Sequence, residues 1–155
     1  MARRRIRQDE TVERKIYFFR TNAGRDRGNR PIAFDPVVTL RHIDSLPWTT
    51  AGRYWVANDG KVTTCWIDDI ESPQRMRLGN IRRTDLPQME QGGSLRPLLL
   101  PGKAGLAESV HMMFFPGNIV GSDFNFYGPR VSRFSYYLAE KAQGVSPVVF
   151  FEPLL

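Results

Sequence analysis

Cysteine, histidine and long apolar runs are scarce in this sequence of 155 residues. Its one cysteine, Cys65, has no partner for an internal disulfide, which is typical of proteins from a reducing compartment. A membrane-spanning helix needs about 20 consecutive apolar residues, and the sequence offers no such run. The first residues, Met1 to Arg5, also lack the apolar stretch of a secretory signal. We therefore expect a cytoplasmic protein with no membrane partner.

The same scarcity limits the groups that the chain is expected to bind. One cysteine and two histidines are too few for a zinc-binding pattern. The glycines and lysine of residues 102–105 lack the spacing of a phosphate-binding loop. The carboxylates of Asp68, Asp69 and Glu71 have the chemistry of a magnesium site, but a charged strand end in solvent is the interpretation that we favour. We therefore predict no cofactor and no metal.

Positive charge is concentrated at the start of the chain. The formal net charge is +6, and residues 1–30 carry the whole surplus, with nine arginines and one lysine against four acidic residues. Arginine outnumbers lysine 18 to 4, and its guanidinium group makes forked contacts with phosphate and stacks on bases. A basic arm over residues 1–14 therefore suits nucleic acid. An idle, solvated tail in an arginine-rich protein is the equally weighted alternative.

Apolar spacing predicts two helices. Asp35 is a suitable N-cap and Pro36 a suitable first residue for a helix that Pro47 ends. A second helix is expected to begin at Pro129 and to stop at Gly144. The first segment repeats apolar residues at three-residue spacing and the second at three- and four-residue spacing, which gives each helix one buried stripe.

Strands are predicted between these helices and on either side of them. The Asp59-Gly60 step between two β-rich runs is typical of a hairpin. A third strand is expected over residues 75–83, with Gly79 marking a bulge, and a polar loop over residues 84–94. The other predicted strands cover residues 15–21, 53–57, 61–67, 95–100, 109–115, 118–126 and 148–151, of which 118–126 is alternatively a structured loop.

This order of elements indicates an α+β fold, with a mostly antiparallel or mixed β-sheet and two helices. We expect a flexible basic arm over residues 1–14 and a single domain over residues 15–155. The sequence ends on the apolar Leu154 and Leu155, which is uncommon for a free terminus. Either this end is tucked into the core, or these residues are the N-terminal part of a longer protein.

Nucleic acid, either DNA or RNA, is the leading predicted ligand. Guanidinium groups would contact phosphates, and nearby aromatic side chains would offer surfaces on which bases stack. If the solvent-exposed face of the third strand lies near the arm, the arginines of both form a continuous basic stripe. The predicted nucleic-acid-binding residues are Arg3, Arg4, Arg5, Arg7, Arg14, Lys15, Arg25, Arg27, Arg30, Arg75, Arg77, Arg82 and Arg83.

A metal-independent ribonuclease-like toxin is the enzymatic alternative. His111 is its candidate general base, with Glu108 and Arg130 as the groups that assist it. A hydrogen-bonded packing role is the structural alternative for this histidine. Strand alternation places His111 on the same face as Met113 and on the opposite face from Met112.

The polar and aromatic junction over residues 118–130 leads into the second predicted helix. Free N–H groups and the helix dipole, with Arg130 in the first turn, favour a phosphate or a base there. A tight turn capped by Asn125 is the structural alternative. Cys65 has no neighbouring basic residue that would activate its thiol, so we predict an inert, packed side chain.

A protein-interaction or oligomerisation domain is the third functional class. Apolar residues around 112–115, or the C-terminal strand, would then dock a protein partner or a second copy of the chain. Such a surface would consist of apolar side chains that the helices leave uncovered.

Four segments carry a resemblance: K-I-Y-F-F-R at residues 15–20, M-R-L-G-N-I-R-R-T-D-L-P at 76–87, G-L-A-E-S-V-H-M-M-F-F-P at 105–116 and N-F-Y-G-P-R at 125–130. Over roughly residues 15–140 the chain resembles the N-terminal region of uncharacterised bacterial proteins found on phages, plasmids and defence islands. The resemblance implies a bacterial cytosolic protein with a role in anti-phage defence or in a mobile element, and more chain after Leu155. It transfers no site residues, because none of these segments is a catalytic motif.

Overall fold

A seven-stranded sheet forms the centre of the structure, a computed structural model that describes residues 13–155. Its strand order is β2-β3-β4-β7-β8-β1-β9, while β5 and β6 form a separate hairpin. The strands are β1 (Ile16–Asn22), β2 (Trp55–Val56), β3 (Val62–Asp69), β4 (Gln74–Arg82), β5 (Gln88–Gln91), β6 (Ser94–Pro97), β7 (Leu106–Phe115), β8 (Ile119–Asp123) and β9 (Phe150–Pro153). The helices of the described residues are α1 (Pro36–Ser45) and α2 (Ser132–Lys141).

Every strand pair of the sheet is antiparallel, and the predicted α+β fold with two helices is confirmed. Both helices contribute to one core, which they share with one face of the sheet. From α1 the core contains Leu40 and Ile43, and from α2 it contains Phe134, Tyr137 and Leu138. The apolar stripes that the spacing predicts therefore bury the helices against the sheet.

Helix α1 begins and ends as predicted. The Asp35 side chain accepts hydrogen bonds from the N–H groups of Val37 (3.0 Å) and Val38 (3.3 Å), and Pro36 takes the first position. The helix ends at Ser45, and Leu46 caps it before Pro47. These contacts satisfy N–H groups that a helix start otherwise leaves without a partner.

Helix α2 is shorter than predicted at both ends. The carbonyl groups of Arg130 and Val131 accept from Arg133 and Phe134, three residues ahead. The chain therefore winds through a turn before the helix begins at Ser132, and the prediction of a start at Pro129 is wrong. The helix ends at Lys141, three residues before the predicted stop.

The predicted loop over residues 84–94 is wrong, because β5 and β6 form a hairpin there. Gly92 and Gly93 have positive φ angles of 58° and 83°. Two consecutive residues with positive φ make the tight turn that matches strand twist, and glycine adopts it without steric cost. The Glu90 side chain accepts from the N–H of Gly93 at 2.6 Å and holds the turn.

Several predicted strands have different bounds in the structure. The strand over residues 53–57 shortens to β2, and that over residues 118–126 ends at Asp123. The final strand moves to Phe150–Pro153, where it pairs with β1 at the edge of the sheet. Leu154 and Leu155 are exposed, so the expectation that this end is tucked into the core is wrong.

The bulge predicted at Gly79 lies elsewhere. Strand β4 pairs without a break through Gly79 on both sides, and the register shifts instead in β3, between Ile67 and Asp69. Gly79 is needed for a different reason. A Cβ atom at this position would lie 2.5 Å from Cζ3 of Trp66, so the indole ring rests directly on the glycine backbone.

Gly79→Ala is therefore expected to lower the free energy of unfolding by about 1–3 kcal/mol, the usual cost of overpacking. Gly28→Ala is the matched control, since a Cβ there meets only Oδ1 of Asp26 at 3.4 Å. Denaturant unfolding of both variants measures the effect. Equal stability of the two variants would contradict the described packing of Trp66.

Candidate functional site

The two helices leave the opposite face of the sheet uncovered in the described part of the chain, and we call it the open face. Strand β7 shows how side chains divide between the core and the open face, because successive side chains of a strand point to opposite faces. Met112 is buried in the core, whereas His111 is exposed and Met113 is half-buried. The prediction that His111 and Met113 lie opposite Met112 is confirmed. A shallow groove of about 860 Å³ runs over this face, lined by β1, β3, β4, β7 and β8.

Two aromatic rings form the apolar part of the groove. Phe18 of β1 is 45% exposed and Phe115 of β7 is 36% exposed, and their ring centroids lie 6.4 Å apart. Gly121 of β8 lies between them, where a Cβ atom would come within 3.2 Å of Phe18 and 3.3 Å of Phe115. The glycine therefore lets both rings lie close to the backbone of β8. Ile16 and Met113 extend this apolar surface.

Two arginines of β4 line the groove beside these rings. Arg77 makes a two-point contact with Asp68 at 3.1 and 2.9 Å, and Arg75 contacts Asp69 at 3.0 Å. The bulge in β3 brings both successive carboxylates to the open face. The arginine side chains remain 54% (Arg75) and 41% (Arg77) exposed. A guanidinium group has five donors, so each arginine keeps donors for a ligand.

Two hydrogen bonds to the carboxylate hold the pKa of Asp69 below its usual value. The larger effect comes from the backbone N–H of Glu71 and the smaller from the guanidinium of Arg75. Asp69 therefore stays ionised at neutral pH and offsets the charge of Arg75. Exposed ion pairs of this kind contribute little to stability. A phosphate group can therefore replace the carboxylate as the partner of the guanidinium.

A histidine and a carboxylate meet at the end of the groove. Asp123 of β8 accepts the backbone N–H of His111 at 2.6 Å and faces Nδ1 of the same residue at 3.0 Å. Arg14 contacts Oδ2 of Asp123 at 3.4 Å, the same oxygen that faces Nδ1 of His111. The Asp123 side chain is only 11% exposed, while the imidazole is 64% exposed. The histidine is therefore anchored at one ring nitrogen and open to solvent at the other.

A second aromatic cluster lies toward the β2 edge of the sheet. The Trp48 ring lies 6.2 Å from that of Trp66 and 5.7 Å from that of Tyr54. Arg77 lies 5.7 Å from the Trp66 ring centroid and Arg83 lies 4.9 Å from that of Tyr54. Cation–π contacts at these distances are attractive, so Arg77 joins this cluster to the groove.

The other described residues of the predicted basic set lie outside the groove. Arg25, Arg27 and Arg30 are exposed in the loop after β1, at the end of that strand away from Arg14. Arg82 donates to the carbonyl of Asp85 and Arg83 to that of Lys103, while Lys15 is exposed beside β1. Arg3, Arg4, Arg5 and Arg7 fall outside the described residues. Within the described residues, the groove gathers Arg14, Arg75 and Arg77.

The predicted grouping of His111 with Glu108 and Arg130 does not form. Glu108 accepts from the Asn125 side chain at 3.3 Å, and Arg130 packs on the Phe124 ring at 4.5 Å from its centroid. The register places Glu108 on the opposite side of β7 from His111. The partner of His111 is Asp123, which the sequence reasoning missed.

Within the junction over residues 118–130, residues 119–123 form β8 and the residues from 124 to 130 form a structural turn. The Asn125 side chain accepts from the N–H of Tyr127 at 3.2 Å and donates to the carbonyl of Ser109 at 3.1 Å. Arg130 lies before helix α2 and donates to the carbonyl of Asn125. The expectation that Arg130 occupies the first turn of the helix is therefore wrong.

Cys65 is fully buried in the core, and its burial raises the pKa of the thiol well above the usual value. The prediction of a packed side chain is confirmed, and the raised pKa disfavours the thiolate, which is the reactive form. Among residues 13–155, no three His, Cys, Asp or Glu side chains are grouped so that they could hold a metal ion. Neither helix of that range is long and apolar enough to cross a membrane.

No family model matches the chain, and comparisons with curated proteins and with solved structures find no match either. The resemblance to bacterial defence and mobile-element proteins therefore stays a prediction. The open face and its residues are the feature of the molecule that points to a function.

Proposed function

We propose that this domain binds single-stranded nucleic acid on the open face of its sheet, as a module of a bacterial defence or mobile-element protein. One observation carries the proposal: two exposed aromatic rings share a groove with the guanidinium groups of three arginines. Bases of a single strand stack on aromatic side chains while basic groups follow the phosphates. A duplex hides the faces of its bases, so a stacking surface favours single strands.

The size of the open face suits a short segment of a single strand. From β4 across β7 and β8 to β1 there are three strand spacings, or about 14 Å. Four-stranded platforms of this width stack two or three bases in RNA-binding modules. Phe115 and Phe18 provide two stacking positions, and Arg77 and Arg75 lie on the β4 side for the phosphates.

Binding of fluorescent single strands of RNA and DNA, and of duplexes of the same sequence, tests the proposal. We expect single strands to bind more tightly than duplexes, and binding to weaken between about 50 and 200 mM salt because phosphate contacts release counterions. Deleting residues 1–12 separates the contribution of the arm from that of the groove. An absence of binding at low salt, or tighter binding of the duplexes, would contradict the proposal.

Self-association is a second candidate function, favoured by the edge strand β9. Among residues 13–155 this strand pairs only with β1, and Phe150 in the strand and Val148 just before it are each 61% exposed. An uncovered apolar edge is a template for pairing with a second copy. Sedimentation of the purified chain tests this candidate, since a strictly monomeric protein would rule it out.

A further inference from the structure

Building on the proposed single-strand binding, we infer that His111 and Asp123 form a site that cleaves single-stranded RNA. The substrate is a ribonucleotide strand lying in the groove, and its own 2′-hydroxyl is the nucleophile. Asp123 is a positioning residue, and His111 is the catalytic residue.

The geometry of the pair fixes which ring nitrogen is available. An ionised carboxylate only accepts hydrogen bonds, so the Nδ1 atom of His111 carries a proton toward Asp123 at 3.0 Å. In the neutral ring, Nε2 then has the lone pair and can take a proton. The same carboxylate also holds the backbone N–H of His111 at 2.6 Å. The largely buried side chain of Asp123 thus sets both the position and the tautomer of the exposed imidazole of His111.

The neighbours of His111 supply the other requirements of phosphate chemistry. Arg77 is its direct partner on β4, on the same face, and cross-strand partners have Cβ atoms about 5 Å apart. Arg14 lies on the other side, in contact with Asp123. Guanidinium groups on both sides can stabilise the negative charge that develops on a phosphate in the transition state.

The stacking surface lies on the same strand and the same face as the general base, His111. Met113 and Phe115 follow His111 on the same face of β7, about 7 and 13 Å along the strand. A single strand that stacks a nucleobase on Phe115 and runs along β7 would therefore pass His111 with its sugar and phosphate groups.

The reaction balances without a further reactant. Nε2 of His111 takes the proton of a 2′-hydroxyl, and the 2′-oxygen forms a bond to the adjacent phosphorus. The bond from phosphorus to the 5′-oxygen of the next nucleotide breaks, and that oxygen receives a proton from water. The histidine then releases its proton to solvent. The products are a 2′,3′-cyclic phosphate and a strand with a 5′-hydroxyl.

Cleavage of an end-labelled DNA strand that contains a single ribonucleotide tests the inference, with an all-DNA strand of the same sequence as the substrate control. We expect cleavage only at the ribonucleotide, with a cyclic phosphate product. His111→Gln is expected to lose at least about a hundredfold in rate, the usual contribution of a general base. Glu108→Gln is the matched control and is expected to keep the wild-type rate, because Glu108 lies on the other side of β7.

Two further measurements separate catalysis from structure. Free imidazole is expected to restore cleavage by His111→Ala, which a purely structural role would not allow. Asp123→Asn is expected to lower the turnover rate more than it raises KM. Wild-type protein that binds both strands and cleaves neither, or cleavage that survives in His111→Gln, would overturn the inference and leave the binding proposal intact. A failure to bind the all-DNA strand and the RNA-containing strand would instead contradict the binding proposal.

Discussion

Replacing Phe18 and Phe115 together by alanine is expected to weaken single-strand binding by about thirtyfold or more. Each base stacked on an aromatic side chain is worth roughly 1–3 kcal/mol, so the loss of two stacks removes at least about 2 kcal/mol of binding free energy. Both rings are partly exposed, and their removal leaves the core of the domain in place. Equilibrium titration of a short single strand with the double variant measures the effect.

Tyr136→Ala is the control for this prediction. Tyr136 is 65% exposed, but it lies on α2, on the other side of the sheet from the groove. We expect its substitution to leave binding unchanged, and thermal unfolding verifies that all variants are folded. Wild-type affinity in the Phe18 and Phe115 double variant would exclude the open face as the stacking surface.

The second large effect is expected on the salt dependence of binding. Replacing Arg75 and Arg77 together by glutamine removes two phosphate contacts, and each contact on a single strand contributes about 0.7 to the slope of log affinity against log salt concentration. We therefore expect the slope to become shallower by about 1.4 and the affinity at low salt to fall. Titrations at several salt concentrations measure both quantities.

Two control variants sharpen this result. Arg96→Gln removes one exposed arginine from the separate hairpin of β5 and β6, so it is expected to leave the slope unchanged. Asp68→Asn combined with Asp69→Asn should strengthen binding, because both guanidinium groups lose a competing carboxylate. An unchanged slope in the Arg75 and Arg77 double variant would show that these residues do not contact phosphates.

Local signals in the sequence predict the elements that short-range chemistry determines. Asp35 and Pro36 mark the start of α1 because capping and a fixed φ act within one turn. The spacing of apolar residues predicts the buried stripe of α2. The Gly92-Gly93 turn is equally local, and its two glycines are a hairpin signal that the polar composition of residues 84–94 obscured.

The aromatic part of the candidate site depends instead on the order of the strands, which no local signal contains. Phe18 and Phe115 are far apart in the chain, and they meet because β8 lies between β1 and β7. The role of Gly79 likewise depends on the Trp66 ring of the neighbouring strand, which lies against the glycine backbone. The sequence alone suggested a bulge at this position.

The partner of His111 is a contact that sequence reasoning had the means to find. The turn after Pro116 joins β7 to β8, and Phe115 pairs with Ile119. Continuing that antiparallel register by four residues on each strand places His111 opposite Asp123. The prediction chose Glu108 because it is close in sequence, although alternation puts it on the opposite side of β7.

Methyl signals of the methionines offer the most direct test of where the ligand binds. Met113 and Met112 are consecutive, yet Met113 lies on the open face and Met112 is buried in the core. Met76 is buried as well, and Met89 is exposed on the separate hairpin. In a protein labelled with ¹³C at the methionine methyl groups, we expect a single-stranded oligonucleotide to shift the Met113 signal and to leave those of Met112, Met76 and Met89 in place. A bound oligonucleotide that leaves Met113 unchanged, or that shifts Met89 instead, would contradict binding on the open face.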